Sequence, residues 1–217
     1  MEIMPLVKIL TIETGKLGIW KFQESSEELQ QVFQFTGKEI EDFQCIKYEN
    51  RKREFLTVRL LLEKMLGEKK EISYNSNRKP HIKNNPFFLS ISHSADLAVV
   101  LLSKKNAGVD VENIHRNTEK VATRFLSEKE LNDINNLPNP QLQRMLYWCA
   151  KEAAFKFSVG PEIEFKSQIK IDNFELNAQG GTFTGHLAKN LSFTQLTFYY
   201  FFCENNVIVY CVEKEII

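Results

Sequence analysis

Three short segments carry residue types that could act together. Gly108-Val109-Asp110-Val111-Glu112 alternates apolar and acidic residues. On a strand, Asp110 and Glu112 share one face with their Cα atoms about 6–7 Å apart, so two carboxylates can converge on one cation. In the run from Trp148 to Lys156, helical spacing puts Trp148, Glu152 and Lys156 on one face, with Lys151 beside it. In Ser90-Ile91-Ser92-His93-Ser94, alternation groups Leu89, Ile91 and His93 on an apolar face and the serines on the other. A histidine there needs a hydrogen-bond partner. A basic set adds Lys47, Arg51, Lys52, Arg53 and Arg59, then Arg78-Lys79-Pro80-His81. Arg59 lies inside the apolar run Leu56 to Leu62, so it should be partly buried and needs an anion. Phosphate is one candidate, because guanidinium binds it through two parallel hydrogen bonds.

Each segment alone has an ordinary structural explanation. Asp-x-Glu is also a solvated strand edge, Glu152 and Lys156 are also an exposed i,i+4 pair, and His93 is also a satisfied core histidine. Together they point one way. Three carboxylates, Asp110, Glu112 and Glu152, suit Mg²⁺, a hard cation that takes oxygen ligands and substrate phosphates. The cations and His93 suit a polyphosphate. Neither G-x-x-x-x-G-K-[ST] nor G-x-G-x-x-G is present, which excludes a P-loop and a dinucleotide fingerprint. No Cys/His cluster argues for zinc.

The elements that must carry these groups follow from periodicity. Residues 1–22 read as strands, and Gln23 to Gln31 as a polar run that is helical at its end. Glu49 to Leu66 has a broad helical apolar stripe stopped by Gly67. Asn75-Ser76-Asn77 and Pro80 mark a loop. Phe87 to Ala95 and Leu97 to Leu102 read as strands joined at Ser94-Ala95-Asp96, and Gly108 to Glu112 as a third. Thr118 to Leu126 and Ser127 to Leu137 read as short helices. Asn139-Pro140 starts a long helix that runs to about Ser158, with Gly160-Pro161 as its stop. Lys170 to Asn177, Thr182 to Ala188, Ser192 to Cys203 and Val207 to Val212 complete an antiparallel set. The expected class is α+β, with two similar subdomains at 1–105 and 106–217, each a mainly antiparallel sheet packed on one long helix.

Composition agrees with a folded protein. Of 217 residues, 43% are hydrophobic and 26% charged, which excludes disorder, collagen and a coiled-coil rod. Lys+Arg and Asp+Glu are both 28, so the zero net charge argues against a nucleic-acid wrapper. No stretch approaches the roughly 18 apolar residues of a membrane helix. Pro5 to Ile12 is interrupted by Lys8 and reads as a strand instead of a signal peptide. Cys45, Cys149, Cys203 and Cys211 form no C-x-x-C pair and are expected to be free thiols in a reducing compartment; Cys203 and Cys211 flank a turn and could face each other.

The segments resemble the 4′-phosphopantetheinyl transferases, and more narrowly their longer, surfactin-synthetase-activating class of two similar subdomains. The hallmarks G-[VI]-D-[VI]-E, W-x-x-K-E-[AS]-x-x-K and a K-P loop before S-H-S appear here as Gly108 to Glu112, Trp148 to Lys156, and Lys79-Pro80 with Ser92-His93-Ser94. Order and spacing agree over roughly residues 50–160, although Arg78 stands where relatives often have glycine. The resemblance implies transfer of the 4′-phosphopantetheine arm of coenzyme A to a serine of an apo acyl or peptidyl carrier protein, with release of adenosine 3′,5′-bisphosphate. It implies Mg²⁺ on Asp110, Glu112 and Glu152, and diphosphate contacts from Lys156 and His93. The 3′-phosphate and adenine side would fall to Lys79, Pro80, Ser92 and Arg59 with Arg53. Glu152, or Glu130 through a water, would take the serine proton. Glu130 also completes a capping box, S-x-x-E, with Ser127. A cytoplasmic monomer that binds neither nucleic acid nor membrane is the expected setting. The rivals are a Mg²⁺-dependent phosphoanhydride hydrolase and an inactive coenzyme A- or carrier-binding module.

Overall fold

The computed structural model describes residues 6–158, 163–189 and 192–214. Among these residues are two antiparallel sheets and seven α-helices. β1 (Leu6–Ile12) and β2 (Gly15–Lys21) form a hairpin. α1 (Ser26–Val32) and α2 (Gly37–Gln44) follow, each started by a capping box, Ser25 with Glu28 and Thr36 with Glu39. α3 (Glu49–Leu66) ends at Gly67, whose φ of 76° is the left-handed stop that glycine adopts freely. β3 (Ile72–Tyr74), β4 (Pro80–Ile82), β5 (Phe88–His93) and β6 (Leu97–Ser103) complete a sheet of order β1-β2-β6-β5-β4-β3.

β7 (Ala107–Asn113) opens the second sheet. A 3₁₀ turn leads into α4 (Ala122–Phe125), then α5 (Glu128–Asn135) and α6 (Pro140–Phe157). The Asn139 side chain accepts from Leu142 N and caps α6, with Pro140 at its first turn. α7 (Phe165–Gln168) precedes β8 (Ile169–Ile171), β9 (Gly181–Lys189), β10 (Ser192–Cys203) and β11 (Asn206–Glu213). The order is β7-β11-β10-β9-β8, so β7 is an edge strand.

Three apolar clusters stack these layers. Trp20, Leu56, Leu61 and Val100 join the first sheet to α1–α3. Leu17, Val99, Val109, Val111 and Ile208 join sheet to sheet. Leu146, Ala150, Ala153, Phe198 and Val209 join the second sheet to α6. Each face excludes water from apolar surface, and that burial is the main force holding the layers together. β6 is buried along its whole length, as its unbroken apolar run requires. Because Val109 and Val111 face the first sheet, alternation turns Gly108, Asp110 and Glu112 toward α6.

Three expectations change in detail, and one helix was not foreseen. The 36–45 segment forms α2, whose polar sequence hid it. The loop around Lys79 is a short hairpin of β3 and β4, with Arg78 at φ 58° in its turn. The strand expected at Lys170 to Asn177 stops at Ile171, because Phe174 leaves the ladder to stack on Phe183 at 4.0 Å. Cys211 lies opposite Phe198 and Cys203 opposite Asn206, so these two thiols do not face each other, and all four cysteines are free. The helix stop expected at Gly160-Pro161 lies outside the described residues; α6 is capped by Ser158, which has extended backbone. Among the described residues no helix is long and apolar enough to cross a membrane.

Candidate active site

The sites for chemistry gather where β5, β7 and α6 meet. Gly108 makes the approach possible, since a Cβ there would lie 2.7 Å from Phe157 N and closer still to Ala153 O. With no side chain at 108, the α6 backbone rests directly on β7. α6 then turns Trp148 and Lys156 onto the two acids. Lys156 Nζ donates to Asp110 Oδ1 at 2.7 Å, Ser92 Oγ at 2.8 Å and Val109 O at 3.0 Å. Ser92 Oγ donates to Asp110 Oδ1 at 2.8 Å. Trp148 Nε1 donates to Glu112 Oε1 at 3.0 Å, and Arg116 pairs with the same oxygen.

Electrostatics marks this cluster as over-supplied with negative charge. Burial, then Asp110, raises Glu112 above the usual carboxylate range. Burial, then Asp110, pushes Glu152 up to about 7, against the opposing pull of Lys156. Asp110 is 5% exposed, and its Oδ2 is buried with no hydrogen bond of good geometry, although the Cys149 thiol, a weak donor, also interacts with this carboxylate. Buried polar atoms are seldom left unpaired, so this oxygen points to a missing partner. Three carboxylates are hard oxygen donors, the chemistry that Mg²⁺ takes. In the arrangement as it stands, no group of three or more His, Cys, Asp or Glu among the described residues is drawn together tightly enough to hold a metal ion. Lys156 and Arg116 supply the balancing charge instead.

The other sequence candidates are spread over neighbouring parts of the fold. His93 ends β5; Arg51 donates to its Nε2 at 3.1 Å and to Glu54 at 2.7 Å, and burial lowers the His93 pKa. The two residues share a cavity of about 310 Å³ with Phe55, Arg59 and Tyr74. Arg59 is 4% exposed, and the anion it meets is Glu39 on α2, Nε to Oε1 3.4 Å. Its guanidinium also lies 3.3 Å from the Phe55 ring centroid, and Arg53 sits 4.5 Å from that of Phe22. Lys79 reaches across to the second half: Nζ donates to Asn106 Oδ1 at 3.0 Å and to Phe157 O at 3.2 Å. Burial lowers its pKa. A cavity of about 140 Å³ opens between Lys79, Pro80, Ser90, Phe155 and Lys156.

Glu130 is engaged elsewhere. It completes the α5 capping box with Ser127, accepts from Lys151 Nζ at 2.9 Å, and accepts from Ile171 N at 3.2 Å. Lys151 is fully buried and also donates to the carbonyls of Phe165 and Ile169. Sequence reasoning did not single out Asn106, Arg116 or Cys149. Cys149 is wholly buried, and its thiol is pushed up by burial, then by Asp110 and Glu112. Its place one residue after Trp148 in the same helical motif was the available signal.

No curated protein matches the chain. Residues 106–211 match the family model described as the 4′-phosphopantetheinyl transferase superfamily. The match spans Asp110, Glu112, Glu130, Glu152 and Lys156, while β1–β6 lie outside it. The match takes in β7, α6 and nearly all of the second sheet and covers just under half of the chain; over that stretch the protein is similar to the 4′-phosphopantetheinyl transferase superfamily.

Proposed function

We propose that this chain transfers the 4′-phosphopantetheine group of coenzyme A to a serine of an apo acyl or peptidyl carrier protein and releases adenosine 3′,5′-bisphosphate. It would thus act as a holo-[acyl-carrier-protein] synthase of the longer, two-subdomain class, with subdomains 1–105 and 106–217 related by a pseudo-twofold. The observation that carries the reading is the buried Asp110 Oδ2, which takes no hydrogen bond of good geometry, among three carboxylates inside the matched stretch. Asp110, Glu112 and Glu152 would hold Mg²⁺, which when bound polarises the attacked phosphate and stabilises the leaving oxygen.

The remaining work belongs to the chain. Phosphoryl transfer needs positioning and charge neutralisation more than covalent help. His93 would contact the diphosphate, and Lys156, whose three protons go to Ser92, Val109 O and Asp110, would offset its charge from alongside. Lys79 and Pro80 would serve the adenine and 3′-phosphate side from one cavity and Arg51 from a second that it shares with His93, while Arg59 is held by Glu39 and Arg53 lies over Phe22, so neither is free for that side as it stands. The nucleophile arrives on the carrier, so the enzyme contributes only a proton acceptor. Glu152 would take that proton; its value near 7 belongs to the metal-free site, and a bound cation would lower it. Glu130 already accepts from Ser127, Lys151 and Ile171, and supports α6 from behind. Four free thiols fit a reducing, cytoplasmic setting, and we read the protein as a monomer.

The test is to incubate the protein with an apo-carrier, coenzyme A and Mg²⁺, with and without chelator, and to weigh the carrier. A gain of one phosphopantetheine that chelator abolishes is the expected result. Cleaved coenzyme A beside an unchanged carrier would identify a hydrolase. Intact coenzyme A with several carriers would identify a binding module.

A further inference from the structure

We infer that Ser92 is a positioning residue for Asp110: its hydroxyl turns the carboxylate so that Oδ2 is the oxygen left for the divalent cation. This rests on the metal site proposed above. It differs from the role that resemblance implies for Ser92, a contact on the 3′-phosphate side.

The argument starts at the edge of the second sheet. β7 has a strand partner on one side only, so amides on its other side need acceptors. Two serines of β5 supply them. Val109 N donates to Ser90 Oγ at 3.0 Å, and Val111 N donates to Ser92 Oγ at 3.3 Å. The serine face of β5 is therefore buried, with Ser90 and Ser92 only 3% and 6% exposed. The two hydroxyls then differ. Ser90 meets the Val109 amide. Ser92 accepts from Val111 N and from Lys156 Nζ, and donates to Asp110 Oδ1.

A hydroxyl has one proton and two lone pairs. Ser92 uses all three, which leaves no capacity for a phosphate oxygen. Lys156 likewise uses its three protons, on Ser92, Val109 O and Asp110 Oδ1. Asp110 Oδ1 thus takes two donors, the Ser92 hydroxyl and the Lys156 cation, while Oδ2 takes no hydrogen bond of good geometry. Groups that hold a metal ligand in place this way are typically worth about 10–100-fold in metal affinity.

The experiment measures Mn²⁺ binding by electron paramagnetic resonance in protein free of coenzyme A. In parallel, calorimetry measures the affinity for adenosine 3′,5′-bisphosphate without metal. Ser92→Ala should weaken Mn²⁺ by about 10–100-fold and leave the bisphosphate affinity unchanged. Ser92→Thr, which keeps the hydroxyl, should restore Mn²⁺ binding. Ser90→Ala removes an equivalent edge cap without touching Asp110, and should leave Mn²⁺ affinity unchanged. Loss of bisphosphate affinity with Mn²⁺ binding intact would make Ser92 a ligand contact and overturn the inference. An equal Mn²⁺ loss in Ser90→Ala would overturn it too, by reducing the effect to strand-edge stability. If Ser92→Ala does not fold, Ser92→Cys is read by the same criteria, because a thiol is a weak donor and acceptor. Wild-type protein that binds no Mn²⁺ would instead sink the metal site itself.

Discussion

Gly108→Ala tests whether close contact between β7 and α6 builds the site. The added methyl would lie 2.7 Å from Phe157 N and nearer to Ala153 O, and both are backbone atoms of α6 that cannot rotate away. Bringing these contacts to an ordinary separation requires α6 to withdraw by about 1 Å, and misplacement of that size costs on the order of 100-fold in rate. Overpacking a well-filled interior costs about 1–3 kcal/mol, and a clash with backbone belongs at the upper end. The gain from replacing glycine in a strand, about 0.5–1 kcal/mol, is too small to offset it. A loss of about 3 kcal/mol corresponds to roughly 6–12 °C in Tm for a chain of this length. The assay pairs thermal unfolding with carrier modification. Gly15→Ala is the control: its Cβ would strike Leu102 O, backbone of the first sheet away from the acids, so it should lower Tm without lowering the rate per folded molecule. A Gly108→Ala protein that melts like wild type and modifies carrier at the wild-type rate would refute the reasoning.

Three further outcomes are expected. In metal-free protein Glu152 should titrate near 7, and Asp110→Asn should lower that midpoint by removing one of the charges that raises it, as read by carbon NMR; an unmoved midpoint would refute the coupling. Trp148→Phe removes the indole donor to Glu112 but keeps an aromatic ring against Phe125, so urea denaturation should show a loss of about 1 kcal/mol, and a loss above about 3 would show that the ring was misread. Lys151 is held down to about 8 because burial outweighs the pull of Glu130. The unfolded chain then binds more protons between about 8 and 10.5, so the stability contribution of this site rises with pH across that window and falls away as pH drops through 8. Glu130→Gln/Lys151→Met should lack this slope, and denaturation midpoints that track wild type from pH 7.5 to 10 would count against it.

The sequence by itself determined the long helices, most strands and the alternation that sets Asp110 and Glu112 on one face. Those features depend on local periodicity and end signals such as Gly67 and Asn139-Pro140. It also assembled the acids and Lys156 as candidates, because their spacing is fixed within one strand and one helix. Partners set by long-range packing were not legible. Arg59 visibly needed an anion, but that the anion is Glu39 follows from α2 folding over α3. Alternation sets the β5 serines opposite its apolar face but not what covers them: Ser90 and Ser92 are buried because they meet the unpaired edge of another sheet. Only the tertiary structure decided which oxygen of Asp110 is occupied and which is free, because the groups that choose between them come from three separate elements.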